Sequence, residues 1–175
     1  LLAFAPDWQA RARAEAEAAL GPRAATAEDL PNLALVRRVL DEALRLYPPA
    51  ALLVREAEAE DDLGAGPPVR PGEQLMLPIY VLHRHRRLWE DPDAFDPDRF
   101  LPERARGRHR FAYLPFGAGP RICLGMGFAL TEATIVLATL LARFRFETAP
   151  GRAPEPRMIF TLRPDGGVPL RVAPI

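Results

Sequence analysis

The sequence predicts a mainly α chain with small β-sheets, an α+β fold, on three observations. Two stretches, 30–47 and 125–144, carry apolar residues in helical fashion. Two regions of strand-like pattern flank clusters of Gly and Pro. Between 90 and 115 the sequence is rich in Pro, Asp and Arg and shows little periodicity. With 49% hydrophobic and 26% charged residues, the chain has apolar side chains enough for one core.

Ala5-Pro6-Asp7-Trp8 opens the first helix with Pro in its first turn, and the Ala/Arg/Glu-rich run reaches Leu20 before Gly21-Pro22 stops it. This helix is polar on most faces. The second runs from about Leu30 to Tyr47: Leu33, Val36, Leu40, Leu44 and Tyr47 recur at helical spacing, which predicts a buried stripe, and Pro48-Pro49 enforce its end. Ala51 to Glu60 and Gln74 to Tyr80 read as strands of a small sheet, separated by the turn-forming Gly64 to Gly72 stretch. Glu90 to Pro115 reads as a long ordered loop, a type that is usually functional or disordered. Gly125 to Phe144 is an almost wholly apolar helix, which predicts burial on most sides. Phe144 to Glu147, Arg157 to Arg163 and Val168 to Val172 close the chain as short strands around Asp165-Gly166-Gly167, a hairpin turn.

Composition removes whole classes of chemistry. The absence of Ser excludes Ser-based triads, and the absence of Lys excludes the G-x-x-x-x-G-K phosphate loop and lysine Schiff bases. Basic and acidic residues number 23 each, so no overall charge points to nucleic acid or a membrane surface. One Cys excludes an internal disulfide framework and fits a reducing compartment, which makes the cytoplasm the expected location. Leu1 to Ala5 lack the features of a signal peptide, and the longest apolar stretch, Ala133 to Ala142, is too short for a transmembrane segment. All 23 basic residues are Arg and Ala is abundant, a bias that points to a GC-rich bacterial genome.

The chemistry concentrates in Phe116-Gly117-Ala118-Gly119-Pro120-Arg121-Ile122-Cys123-Leu124-Gly125. A lone Cys is more often an inert small hydrophobe than a ligand, and a G-x-G pair is usually a turn. The dinucleotide pattern G-x-G-x-x-G fails, because Ile122 holds the third Gly position. The segment nevertheless offers what a thiolate ligand needs: glycines that let the backbone approach a flat group, and a helix N-terminus whose unpaired amides stabilise S⁻.

This F-x-x-G-x-R-x-C-x-G pattern, followed by Phe128-Ala129, resembles the cysteine-loop signature of the cytochrome P450 family at every defined position. The resemblance implies haem b (iron protoporphyrin IX) as cofactor and Cys123 as the axial ligand of its iron, a role for which the family is the standing example. It implies Arg121 on a haem propionate, Phe116 beside the ligand, and Gly117 and Gly125 as the close-approach positions. Two further motifs stand in the family's order. Glu42-Ala43-Leu44-Arg45 would by itself be a solvated helix pair of small value. In the family this pair is buried with an Arg from the later loop, here Arg99 in Phe95-Asp96-Pro97-Asp98-Arg99-Phe100, as a structural lock. Arg55 falls where many members carry a second propionate Arg, although an Arg on a strand edge is commonplace and both readings stand.

Pro49 to Val54 and the Phe160 turn resemble segments that line the substrate pocket, and Ala50, Leu52, Leu53 and Phe160 favour a small apolar organic substrate, as plain core packing also would. His83-Arg84 stands where the family often has His-Arg-Asp-Pro, here continued as His85-Arg86-Arg87. With no third ligand nearby, His83 and His85 read as solvated loop residues rather than a metal pair. Arg104, Arg106, Arg108 and Arg110 form a basic run, ordinarily solvated, on the side where the family's acidic electron donor docks.

The resemblance therefore implies a haem-thiolate monooxygenase that inserts one oxygen atom from O2 into its substrate, with electrons from a reductase or ferredoxin-type donor. A peroxygenase or isomerase is the alternative within the family, and a non-catalytic truncated haem-binding remnant the alternative outside catalysis. It also makes residues 1–175 the C-terminal haem-binding part of a single domain, with the N-terminal part and its distal oxygen-binding helix absent. No oxygen-activating acid or Thr is therefore assignable here.

Overall fold

The computed structural model describes residues 1–64, 66–150 and 154–175. Residue 65, within the expected Gly64 to Gly72 turn, lies outside them. Three helices carry the core: α1 (Pro6–Leu20), α2 (Ala34–Leu46) and α5 (Met126–Leu141). Two single-turn helices, α3 (Ile79–Leu82) and α4 (Pro102–Ala105), sit in the intervening loops. Ala12, Ala16 and Leu20 of α1 pack with Leu35, Val36 and Val39 of α2 and with Ala138 and Leu141 of α5. The small Ala residues of α1 let the neighbouring backbones come close, so a helix polar on most faces still has one narrow buried stripe.

α2 begins later than its apolar pattern predicts, because Ala27–Asn32, which contains Pro31, forms a 3-10 turn first. Leu33 offers no capping oxygen, and Glu15 of α1 replaces it, accepting from the amides of Leu35 and Val36 at 2.8 Å each. The expected stripe is corrected as well. Leu33 and Val36 are buried, but the face continues through Leu35, Val39, Glu42 and Leu46, whereas Leu40 and Leu44 are half-buried and Tyr47 is exposed. Hydrophobicity alone misplaced the face because Glu42 and Arg45 lie on its buried side.

Among the described residues the strands form three two-stranded antiparallel sheets. β1 (Leu53–Glu56) pairs with β2 (Gln74–Leu77) in the register Leu53↔Leu77 and Arg55↔Leu75. Pro78 ends β2, so Tyr80 belongs to α3 and not to the strand. β3 (Phe144–Thr148) pairs with β6 (Leu170–Pro174), and β4 (Pro156–Met158) with β5 (Leu162–Pro164). Arg157 to Arg163 is thus two strands with a turn at Phe160, and Asp165-Gly166-Gly167 joins strands of different sheets instead of closing a hairpin. Gln9 fastens α1 to β3, donating to Phe146 C=O and accepting from Phe146 N–H, both at 2.8 Å.

α5 departs from expectation in one respect. Only Thr134, Ala138 and Leu141 are buried, all on the face toward α1 and α2, while Phe128, Val136 and Leu140 are exposed. An almost wholly apolar helix is therefore buried along one side only.

Candidate functional site

Two buried assemblies and one exposed loop make the site. The first assembly is ionic. Arg45 Nε donates to Glu42 Oε2 at 2.6 Å and Nη2 to Oε1 at 2.8 Å, and neither side chain has solvent access. Arg99 Nε lies 3.4 Å from Glu42 Oε1. Two guanidinium groups against one carboxylate leave positive charge to be met, and main-chain carbonyls meet it. Arg45 donates to His83 C=O, Pro92 C=O and Ala94 C=O at 2.8, 2.6 and 3.0 Å, and Arg99 donates to Glu90 C=O and to Asp91 C=O. Glu42 in turn accepts from Asp96 N–H at 2.9 Å. These bonds give the non-periodic 83–99 backbone the partners that a helix or sheet would otherwise supply. Trp89 completes the cluster, with the guanidinium carbons of Arg45 and Arg108 at 5.1 and 4.3 Å from its ring centroid.

The second assembly centres on His83, and it corrects the expectation of a solvated loop histidine. The ring is fully buried. Leu114 N–H donates to Nε2 at 2.8 Å, and Nδ1 faces Arg45 C=O at 3.1 Å. Burial lowers the imidazole pKa to about 4, with the Arg45 and Arg84 charges adding to the effect, so the ring is neutral. Its neighbour Tyr113, with ring centroids 5.4 Å apart, donates its hydroxyl to Asp41 C=O at 3.0 Å, and burial raises its pKa.

The loop follows directly. Gly117 N–H donates to Leu114 C=O at 3.1 Å, and Cys123 N–H donates to Phe116 C=O at 2.9 Å, so the backbone of 114–123 folds back on itself. Gly117 makes this possible at φ +74°, and a Cβ there would lie 3.5 Å from Leu53 Cδ1 of β1. Arg55, two residues on from Leu53 on the same strand face, is half-buried, and its guanidinium donates to Val54 C=O at 2.8 Å. Cys123 is exposed just ahead of α5, whose first helical bond runs from Ala129 N–H to Gly125 C=O at 2.9 Å. The positive end of that helix lies behind the thiol. A Cβ on Gly125 would sit 4.0 Å from Sγ, so the absence of a side chain keeps that side of the sulfur open. Phe116 is half-buried at the loop's start.

The loop's surroundings have a definite chemistry. Ile122, Leu124 and Phe128 are exposed beside Cys123, and Arg121 is exposed with no ion pair among the described residues. Arg55 likewise has no carboxylate partner among them. One thiol, open apolar surface and two unpaired guanidinium groups suit a flat apolar group carrying carboxylates. The basic run proves heterogeneous: Arg104 pairs with Asp96 at 2.7 Å, and Arg108 is half-buried, donating to Arg99 C=O at 2.6 Å, while Arg106 and Arg110 are exposed.

The cytochrome P450 family model matches residues 1–170. The chain belongs to the cytochrome P450 family. It is 45% identical over 166 residues, 94% of this chain and 36% of the relative, to cyclooctatin synthase of Streptomyces melanosporofaciens. It is 42% identical over 151 residues, 86% of this chain and 33% of the relative, to cyclooctat-9-en-7-ol 5-monooxygenase of the same organism. It superposes with a TM-score of 0.92 on the crystal structure of cytochrome P450DA heme domain, 35% identical, covering 99% of this chain and 39% of that one. The chain thus spans about a third of the length of these curated relatives.

For this P450 chain, sequence reasoning missed His83, Leu114 and the stacking role of Arg108. A usable signal existed for His83. It lies four residues after Ile79, at the end of the apolar Leu75 to Leu82 run, where helical spacing puts both on one buried face.

Proposed function

We propose that this chain forms the thiolate side of the haem site in a monooxygenase that inserts one oxygen atom from O2 into a small apolar organic substrate. The observation that carries the reading is Cys123, exposed ahead of α5 between apolar surface and the unpaired Arg121. When bound, haem b supplies oxygen activation, which a thiolate ligand favours by pushing electron density toward O–O cleavage. The chain's residues hold that group. Cys123 ligates the iron, Arg121 and Arg55 take the propionates, Phe116 packs beside the ligand, and Gly117 and Gly125 keep the approach clear. Glu42, Arg45 and Arg99 lock the surrounding backbone and take no part in the chemistry.

Residues 1–175 are, in this reading, the C-terminal haem-binding part of one P450 domain, supported by the third of the relatives' length that they span. The distal oxygen-binding helix belongs to the part that precedes them. The apolar substrate is supported by Phe160 and Ile159, exposed at a turn that Leu162 N–H ties to Pro49 C=O at 2.9 Å. A relative named as a monooxygenase supports the same reaction class. Electrons come from a reductase or ferredoxin-type donor, with the exposed Arg106 and Arg110 steering an acidic partner. The protein works in the cytoplasm; among the described residues no helix is long and apolar enough to cross a membrane.

The deciding experiment is the ferrous carbon monoxide difference spectrum of the full-length haem-loaded protein beside Cys123→Ala. Thiolate ligation gives a strongly red-shifted Soret band, and the variant loses it. A band unchanged in the variant, or absent from both, would sink the haem-thiolate reading.

A further inference from the structure

His83 has a defined bond on each ring nitrogen. Because Leu114 N–H can only donate, Nε2 accepts and is unprotonated, which places the proton on Nδ1, facing Arg45 C=O. The tautomer follows from the partners. Leu114 N–H is buried and has no other acceptor among the described residues, so the imidazole is what satisfies it. On one side the ring therefore holds the residue whose guanidinium anchors the ionic cluster. On the other it holds the residue whose C=O takes Gly117 N–H, one step from the Phe116 C=O that takes Cys123 N–H.

We propose that His83 is a positioning residue for Cys123: it couples the loop 114–123 to the Glu42/Arg45/Arg99 cluster and so fixes where the thiol stands. It touches neither the sulfur nor a ligand and acts through Leu114. The idea rests on the reading of Cys123 as haem ligand and adds the device that holds it in register. A ring that only filled space would need a similar volume. This ring needs an acceptor at the Nε2 position, and that requirement separates the two roles.

The test compares His83→Gln, whose side-chain oxygen reaches the Nε2 position, with His83→Asn, whose shorter amide serves the Arg45 side alone. Amide hydrogen exchange is read at Leu114, Cys123 and the α1/α2/α5 core, and Cys123 alkylation by iodoacetamide is timed in the haem-free protein. His83→Asn should speed exchange at Leu114 and Cys123 by roughly tenfold, the size of one lost hydrogen bond, and change the alkylation rate. His83→Gln should stay within roughly threefold of the parent, with core amides unmoved in both. In the haem-loaded protein, His83→Asn should convert part of the red-shifted carbon monoxide band to the unshifted form, and His83→Gln should not. Equal exchange in the two variants, unchanged Leu114 and Cys123 amides, or core exchange rising alongside them would overturn the proposal. Exchange needs no haem, so a Cys123→Ala spectrum that defeats the ligand reading leaves the coupling result to be judged separately.

Discussion

Arg45 and Glu42 meet in a two-point ion pair with no solvent access, at 2.6 and 2.8 Å, three residues apart on one helix. A pair so placed is not measured by its attraction, since desolvation offsets most of that; what matters is the cost of breaking it from one side. Glu42→Gln leaves two buried guanidinium groups, Arg45 and Arg99, facing a neutral amide. The expected loss is about 3–5 kcal/mol of unfolding free energy, read as the shift in urea midpoint. Arg37→Ala, which removes the exposed partner of the Arg37–Asp41 pair on the same helix, should cost about 1 kcal/mol or less. If the two losses were equal, the cluster would not be the lock on the 83–99 backbone.

Two glycines of the cysteine loop should respond differently to Ala. Gly117 sits at φ +74°, where an L side chain is strained, so Gly117→Ala should cost about 1–2 kcal/mol even though Leu53 leaves ordinary room for the Cβ. Gly125 has φ −82° and bears no such strain. Its Cβ would rest 4.0 Å from Cys123 Sγ, so Gly125→Ala should leave the urea midpoint nearly unchanged and slow iodoacetamide alkylation of Cys123. Slowed alkylation in Gly117→Ala alone would reverse the assignment.

The helices and the cysteine loop were legible because their signals are local. Pro6 and Gly21 bound α1, Pro48 follows α2, and the Gly and Cys spacing of 116–125 carries its own pattern. What escaped depends on non-local partners. The imidazole of His83 is bonded to residues 31 and 38 positions away, and no window around it shows them. The buried side of α2 was misplaced because its two charged residues find partners on the loop beyond: Arg45 donates to the Pro92 and Ala94 carbonyls, and Glu42 accepts from Asp96 N–H. The closing strands were misjoined since β6 pairs with β3, across the β4–β5 hairpin.

Within the basic run, Arg108 and Arg106 should separate cleanly. Arg108 lies over Trp89 and Phe100 at 4.3 and 5.2 Å from their ring centroids and donates to Arg99 C=O at 2.6 Å. Its removal in Arg108→Ala forfeits both the stacking and a charge-assisted bond, an expected loss of about 2 kcal/mol in the urea midpoint. Arg108→Lys keeps charge without the planar stacking group and should fall between. Arg106→Ala, on exposed surface, should stay within about 0.5 kcal/mol, and should instead weaken the salt dependence of reduction by an acidic donor protein.

Acid should loosen the fold through His83, and the sign follows from its lowered pKa. The folded protein holds the ring neutral down to about pH 4, whereas the unfolded chain binds a proton near the ordinary value of 6.5. Between these values the unfolded state carries more protons, so stability falls as pH drops from about 6.5 toward 4 and levels off below. Protonated Nε2 could no longer accept from Leu114 N–H, and the charge would stand near the Arg45 and Arg84 charges, which oppose it. Asp41 works in the other direction, since burial raises its pKa and the folded state takes up its proton first. The measurement is therefore a difference: urea midpoints of the parent and His83→Gln from pH 7 to pH 4. The parent should lose on the order of 2–3 kcal/mol more than the variant across that range. Parallel curves would mean that the ring is already protonated, or solvated, in the folded protein.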